Sequence, residues 1–308
     1  MSNAVLKSAT LKARMARGST IRCLGAHDAL SARIGQEEGF EAIWASGLGV
    51  SSARGVPDAN ILGMHDMLQA AWMIDRAVNV PVIADCDIGF GDAAVVSHMV
   101  RDFELAGIAA VCMEDKVFPK LNSFANGRQE LAPIGEFVGK IAAAKNAQRS
   151  DTFLVFARVE ALIAGLDVAT ALERARAYAD VGADAILIHS KAKAPDEILE
   201  FINRWDRDLP LVLVPTTYPS LTLETIEALQ KVRVVIYANQ ALRAGIRAMR
   251  AVLSSIRQTG STVAVEEHIA SVREVFDLQH MPTFLDTPER FKDRSPVLTA
   301  LVQATAAE

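Results

Sequence analysis

The chain has 308 residues, 51% hydrophobic and 22% charged, an ordinary globular composition. Its 32 lysines and arginines face 37 acids, and the net charge of −5 argues against nucleic acid or an anionic membrane as the main partner. No apolar run approaches the ~20 residues needed to span a bilayer. An anionic substrate would therefore have to be met by local cations or a metal.

The opening stretch, "MSNAVLKSATLKARMARGST", carries Lys7, Lys12, Arg14 and Arg17 and no acid. It lacks the apolar core of a secretory signal, and an amphipathic helix fits it better than a transit peptide. Short apolar runs then recur at 21–27, 41–47, 80–87, 109–115, 152–161, 183–190, 210–217 and 233–239. They are continuous, not alternating, as expected for parallel strands covered on both faces. Helical patterns lie between them at 67–79, 94–107 and 167–182, the last two ending on Gly107 and Gly182. Eight strands alternating with helices predict a (β/α)8 TIM-type barrel, with a doubly wound sheet as the lesser alternative. "GLGVSSARG" has neither the Rossmann spacing nor a P-loop lysine.

Cys23, Cys86 and Cys112 fall inside apolar runs, an odd number without framework spacing. They read as free thiols in a reducing compartment, which makes the cytoplasm the expected location. Beyond the eighth strand, 240–260 and 265–279 form two amphipathic helices that closing a barrel does not require. The expected organisation is a catalytic barrel over 1–260 and a helical extension over 261–308, with a short helix near 296–306. Surplus apolar helical surface calls for a partner copy.

In such barrels the C-terminal strand ends form the active face. Strand two ends on Trp44, Ala45, Ser46 and Gly47, strand three on Asp85, Cys86 and Asp87, and strand four on Glu114 and Asp115. Side chains two apart on a strand share a face, so Asp85 and Asp87 should point together, as should Arg158 and Glu160. Three carboxylates converging on one mouth need a cation, and hard oxygen ligands suit Mg2+ or Mn2+. The competing reading has Asp85 and Asp87 capping the next helix or binding the lid backbone. Arg158 needs an anion, either Glu160 or a ligand phosphoryl or carboxylate group. On the residues alone, His189 suits a satisfied core histidine better than a ligand. Trp44 suits core packing but is kept beside Ser46, Gly47 and Leu48 in the candidate substrate-binding set. "EDKVFPKLNS" (114–123) follows strand four and brings Lys116, Lys120, Asn122 and Ser123 over the mouth. It reads as a lid closing on an anion.

"WASGLGVSSARGVPDAN", "ADCDIGFGD", "EDKVFPKLNSFANGRQELAPIGEF", "ARVEALIAG", "ADAILIHS" and "VIYANQALRA" together resemble the phosphoenolpyruvate mutase branch of the isocitrate lyase superfamily. The resemblance runs from about residue 20 to about residue 280. It implies an α/β barrel whose last helix is exchanged between subunits of a homodimer or homotetramer. It also implies Mg2+ on Asp85, with Asp87 and Glu114 holding it through waters. Ser46, Gly47 and Leu48 would bind a pyruvoyl carboxylate. Arg158 and His189 would contact a phosphoryl group, and Asp58, Lys120, Asn122 and Ser123 would complete the closed site. The superfamily's C–C lyases carry a loop cysteine in a motif that is missing here. Phosphonopyruvate hydrolases share nearly every motif but carry threonine in place of the lid amide, so Asn122 tips the resemblance towards a mutase. A barrel that only binds phosphorylated acids would be expected to lack some of the mouth charges, and none is missing.

Overall fold

A computed structural model describes residues 3–292, with side-chain surroundings from Lys7 onward. The helix expected near 296–306 lies outside the described residues. Eight strands form the barrel: β1 (Ile21–Ala26), β2 (Ala42–Ala45), β3 (Val82–Asp85), β4 (Ala110–Glu114), β5 (Leu154–Val159), β6 (Ala185–Ile188), β7 (Leu211–Leu213) and β8 (Val232–Tyr237). Each pairs in parallel with its neighbour in sequence, and β8 closes on β1, so the expected TIM-type barrel is the observed fold. The helices are α1 (Asn3–Ala16), α2 (Ala29–Glu37), α3 (Gly47–Ala53), α4 (Met64–Ala77), α5 (Ala93–Leu105) and α6 (Ile134–Ala147). They continue with α7 (Val168–Asp180), α8 (Asp196–Arg204), α9 (Leu223–Ala228), α10 (Gln240–Thr259), α11 (Val272–Leu278) and α12 (Met281–Phe291). Among the described residues no helix is long and apolar enough to cross a membrane.

The two faces of each strand feed two cores. Inside the barrel, Cys23, Trp44, Ile83, Cys112, Phe156, Leu187, Val212 and Ile236 pack together. Leu11 and Met15 of α1 join them and close the end where the strands begin. Outside, alternate residues such as Ile43, Val111, Val155 and Ile186 pack on the helices. Burial on both sides is the reason the strands read as unbroken apolar runs. The three cysteines are free and buried, as expected, and desolvation pushes each thiol up, away from the reactive thiolate.

Local signals fix the helix ends. Asp92 and Asp167 accept backbone N–H bonds as N-caps of α5 and α7. Gly107 and Gly182, just past those helices, take φ of +98° and +99°, which an L side chain adopts poorly. The strands end sooner than the apolar runs. Pairing stops at Asp85 and Ile188, and the following residues leave the ladder to build the mouth.

By internal contacts the chain divides into residues 1–245 and 246–308. The second unit contains the rest of α10 with α11 and α12, and no residue of α11 or α12 is buried. Its Met249, Leu253, Val272, Phe284 and Leu285 are all exposed.

Barrel closure sets a steric limit at Gly25 of β1, where an added Cβ would stand 2.0 Å from the Ala238 carbonyl oxygen. Gly25→Ala should cost about 3 kcal/mol or more in denaturant unfolding, at the upper end of overpacking effects. Gly139→Ala, in α6 with open space around it, should instead raise stability by about 0.5–1 kcal/mol.

Candidate active site

Of the candidate residues, all except Gly47 and Asp87 line one cavity at the C-terminal ends of the strands. Its volume is about 50 Å³, room for roughly three to five water-sized bodies at about 10–15 Å³ each. A larger cavity of about 440 Å³ opens at the opposite end, between Lys12, Leu154, Asp184 and Arg207. It contains none of the candidate residues and sits on the face that in barrels serves stability.

Asp85, the last residue of β3, accepts a hydrogen bond from Gly47 N at 3.0 Å. Burial pushes its pKa up to about 7; Lys120 opposes that shift and Asp87 adds to it. Asp87 lies past the strand with φ +48°, so strand alternation is not what brings the two acids together. It is the turn after β3 that does so. Asn60 Nδ2 donates to Asp87 Oδ2 at 2.9 Å, and Lys120 Nζ stands 2.9 Å from Oδ1. Glu114 ends β4; its Oε2 is 3.2 Å from Arg158 Nε and its Oε1 3.8 Å from Lys116 Nζ.

The site is short of positive charge. Asp58, Asp85, Asp87, Glu114 and Glu160 face Lys116, Lys120 and Arg158, a formal excess of two negative charges. Asp87 Oδ1 and Glu114 Oε1 are buried and accept no hydrogen bond of good geometry among the described residues. Asp87 Oδ1 keeps an ion contact with Lys120 and Glu114 Oε1 a distant one with Lys116, and carboxylate oxygens so placed fit a divalent cation. No three His, Cys, Asp or Glu side chains among the described residues are arranged to hold an ion by themselves.

Arg158 meets the protein acid, one of the two partners expected for it, and still reaches the cavity. Its Nε is 2.6 Å from Glu160 Oε1 and its Nη2 donates to Ser123 Oγ at 2.8 Å, while the side chain also lines the cavity. His189 Nδ1 lies 2.9 Å from Glu160 Oε1 and 2.8 Å from Arg158 Nη2, and its buried Nε2 has no partner among the described residues. Burial, then the Arg158 charge, lowers the imidazole pKa, so the ring is neutral at pH 7. Trp44 belongs to the barrel core and also lines the cavity. Of the backbone groups expected to meet a carboxylate, Ser46 N donates to Ala26 O and Gly47 N to Asp85, each at 3.0 Å. Two of those three donors are therefore already used.

Between β4 and α6 the chain runs from Asp115 to Pro133 without helix or extended strand. Its base is pinned where Val117 N donates to Glu130 O at 3.2 Å and Ala132 N to Asp115 O at 2.9 Å. Over the mouth it docks on the loop after α3. Asn122 N donates to Asp58 O at 3.1 Å, Asn122 Nδ2 to Asp58 Oδ2 at 2.6 Å, and Lys120 Nζ to Asp58 Oδ1 at 2.6 Å. Lys120 N donates to Asn60 Oδ1 at 2.7 Å. Burial works against the Lys120 charge, but Glu114, Asp87, Asp58 and Asp85 hold it firmly protonated.

Several site residues were not in the expected set. Glu160 was weighed only as a partner for Arg158, and its position two residues on was the available signal. Asn60 and Thr216 gave none. Thr216 lines the cavity with an unpartnered, buried hydroxyl, and Asn60 acts through contacts 27 and 60 positions away.

The family described as "Phosphoenolpyruvate phosphomutase" matches residues 11–257. The chain is 48% identical over 274 residues to the phosphonopyruvate hydrolase of Variovorax sp. (strain Pal2), covering 89% of this chain and 94% of that one. Among solved structures, it is similar to a phosphoenolpyruvate phosphomutase from Streptomyces platensis subsp. rosaceus. That match has a TM-score of 0.90 and 50% identity, over 92% of this chain and 99% of the other. It is also similar to a phosphonopyruvate hydrolase solved as a complex with oxalate and Mg++, with a TM-score of 0.89 and 45% identity, over 93% and 99% of the two chains.

Asp58 is the main dock for the 116–131 segment. Asp58→Asn removes a buried ion-pair partner, a change that costs about 3–5 kcal/mol in comparable sites. Hydrogen exchange of amides 116–131 should accelerate by about 10²-fold or more while the strands keep their protection. Unchanged exchange in that segment would show that Asp58 does not hold it.

Proposed function

The chain belongs to the phosphoenolpyruvate phosphomutase family, and we propose that it interconverts phosphoenolpyruvate and phosphonopyruvate beneath a lid formed by residues 116–131. The observation that carries this reading is Asn122, an amide standing in the cavity wall beside Lys120, Ser123 and His189. The phosphorus–oxygen bond to C2 would break and a phosphorus–carbon bond to C3 would form, or the reverse. Such transfers pass through a loose transition state, so the protein chiefly positions groups and balances charge.

Asp85 would hold Mg2+, with Asp87 and Glu114 reaching it through waters; the complex of a relative with oxalate and Mg++ supports this. When bound, the ion supplies Lewis-acid stabilisation of negative charge developing on the substrate's oxygens. Arg158 would grip phosphoryl oxygens as a planar donor. His189 Nε2, which no group among the described residues uses, would meet the same oxygens. Lys120 would exchange part of its contact with Asp58 and Asp87 for substrate anion. The Ser46 hydroxyl and the Leu48 N–H would orient the carboxylate end.

Water is the competing nucleophile, so lid closure is part of the chemistry. Asn122 would turn an amide N–H from Asp58 to the phosphoryl group and fill the space that a water needs. The 48% identity to a phosphonopyruvate hydrolase favours a second reading, cleavage to pyruvate and phosphate at the same site. The apolar helices of the second unit are read as the segment exchanged with another copy in a homodimer or homotetramer.

Incubation with phosphonopyruvate and Mg2+, followed by 31P NMR, separates the readings. Phosphoenolpyruvate is the expected product; inorganic phosphate with pyruvate would establish the hydrolase, and no turnover would overturn both. Chelation by EDTA should abolish turnover and added Mg2+ should restore it. Asn122→Thr should lower isomerisation by about 10²-fold, the typical effect of losing a positioned donor, and increase phosphate release. Full isomerisation with no added hydrolysis would remove Asn122 from this role.

A further inference from the structure

Glu160 is fully buried, and its two carboxylate oxygens have different clients. Oε1 faces the barrel: Arg158 Nε lies at 2.6 Å and His189 Nδ1 at 2.9 Å. Oε2 faces the 116–131 segment: Ser123 Oγ donates at 2.6 Å and Lys116 Nζ stands at 2.9 Å. The backbone beneath is fixed. Glu160 N donates to Asp115 Oδ1 at 2.9 Å, and Asp115 is held in turn by Tyr178 OH at 2.7 Å and Arg174 Nη1 at 3.0 Å.

We propose that Glu160 is a positioning residue that couples seating of the lid to the alignment of Arg158 and His189. This rests on the reading of those two side chains as the phosphoryl-contacting pair. The hinge of the coupling is Ser123. Its hydroxyl donates to Glu160, accepts from Arg158 Nη2 at 2.8 Å and accepts from Lys116 Nζ at 3.0 Å, which uses its full hydrogen-bonding capacity. Phe124, the next residue, meets the His189 ring edge-on at 5.5 Å between centroids. Lifting the lid withdraws Ser123 from both Glu160 and Arg158 in one motion.

The consequence reaches the histidine proton. A carboxylate requires N–H at Nδ1, whereas a guanidinium requires a lone pair there, and both lie within 2.9 Å. When Nδ1 accepts from Arg158, the neutral ring carries its proton on Nε2 and offers a donor. When Nδ1 donates to Glu160, Nε2 becomes an acceptor. Any shift of Arg158 relative to Glu160 therefore changes what His189 presents to the cavity. A lid that seats Ser123 against both would set the histidine for its ligand only when water is excluded.

The test uses the full chain as wild type, Glu160→Gln, Ser123→Ala and the double variant, with hydrogen exchange of amides 116–131 as readout. Each single change should raise lid exchange about tenfold or more, and the double variant should exceed the larger single effect by no more than about twofold, as expected for groups acting as one unit. Multiplying effects, or wild-type lid exchange in Glu160→Gln, would overturn the coupling. Should Glu160→Gln fail to fold, Ser123→Ala keeps the buried acid and decides alone. Its side-chain 15N NMR should show displaced His189 ring nitrogens, and unchanged resonances would overturn the proposal. These readouts need no turnover. A wild-type enzyme inactive on both substrates would sink the functional reading and leave the coupling to be judged by exchange and NMR.

Discussion

Five carboxylates and three cations share a buried barrel mouth, and the formal excess of two negative charges governs how the rest of the site is built. Buried charges are tolerated only when paired and hydrogen-bonded. The protein pairs most of them: Lys120 with Asp58 and Asp87, Arg158 with Glu160 and Glu114, Lys116 with Glu160. What remains is borne by Asp85, whose pKa burial pushes up to about 7, and by Glu114, whose Oε1 accepts no hydrogen bond of good geometry among the described residues. A proposed divalent cation carries the charge that is missing.

The same imbalance explains why a polar segment can sit over the mouth. Phe118 and Phe124 of the 116–131 segment stay exposed, and much of its hold on the mouth is electrostatic. Lys120, Asn122 and Ser123 dock on Asp58 and Glu160, acids supplied by the barrel. A segment held by charge and hydrogen bonds responds to the charge of what lies beneath it. An oily flap would not. A trianionic substrate arriving with a dication would compete for these cations and offer them new partners, which makes closure sensitive to the ligand itself.

Much of the architecture was legible because barrel strands are buried on both faces and announce themselves as unbroken apolar runs. Asp85, Glu114 and Arg158 were legible as polar residues at the ends of such runs. Asp87 is not described by strand alternation: it leaves the strand in a left-handed conformation. Local spacing cannot assign Arg158 to one partner, because it pairs with Glu160 and also lines the cavity. Residues that work through distant contacts stayed silent. Asp115 meets Arg174 and Tyr178, 59 and 63 positions on, and Asn60 meets the lid backbone 60 positions on. Local spacing holds no record of such pairs. Ser46 and Gly47 were visible as a turn, but only the folded chain shows where their N–H groups are spent.

The measurement that bears most directly on the charge imbalance is anomalous scattering at the manganese edge from crystals grown with Mn2+ as a Mg2+ analogue. One peak per chain is expected beside the Asp85 carboxylate, with waters between it and Asp87 and Glu114. An empty mouth at saturating Mn2+, or an ion bound only elsewhere, would contradict the assignment of those acids to a cation.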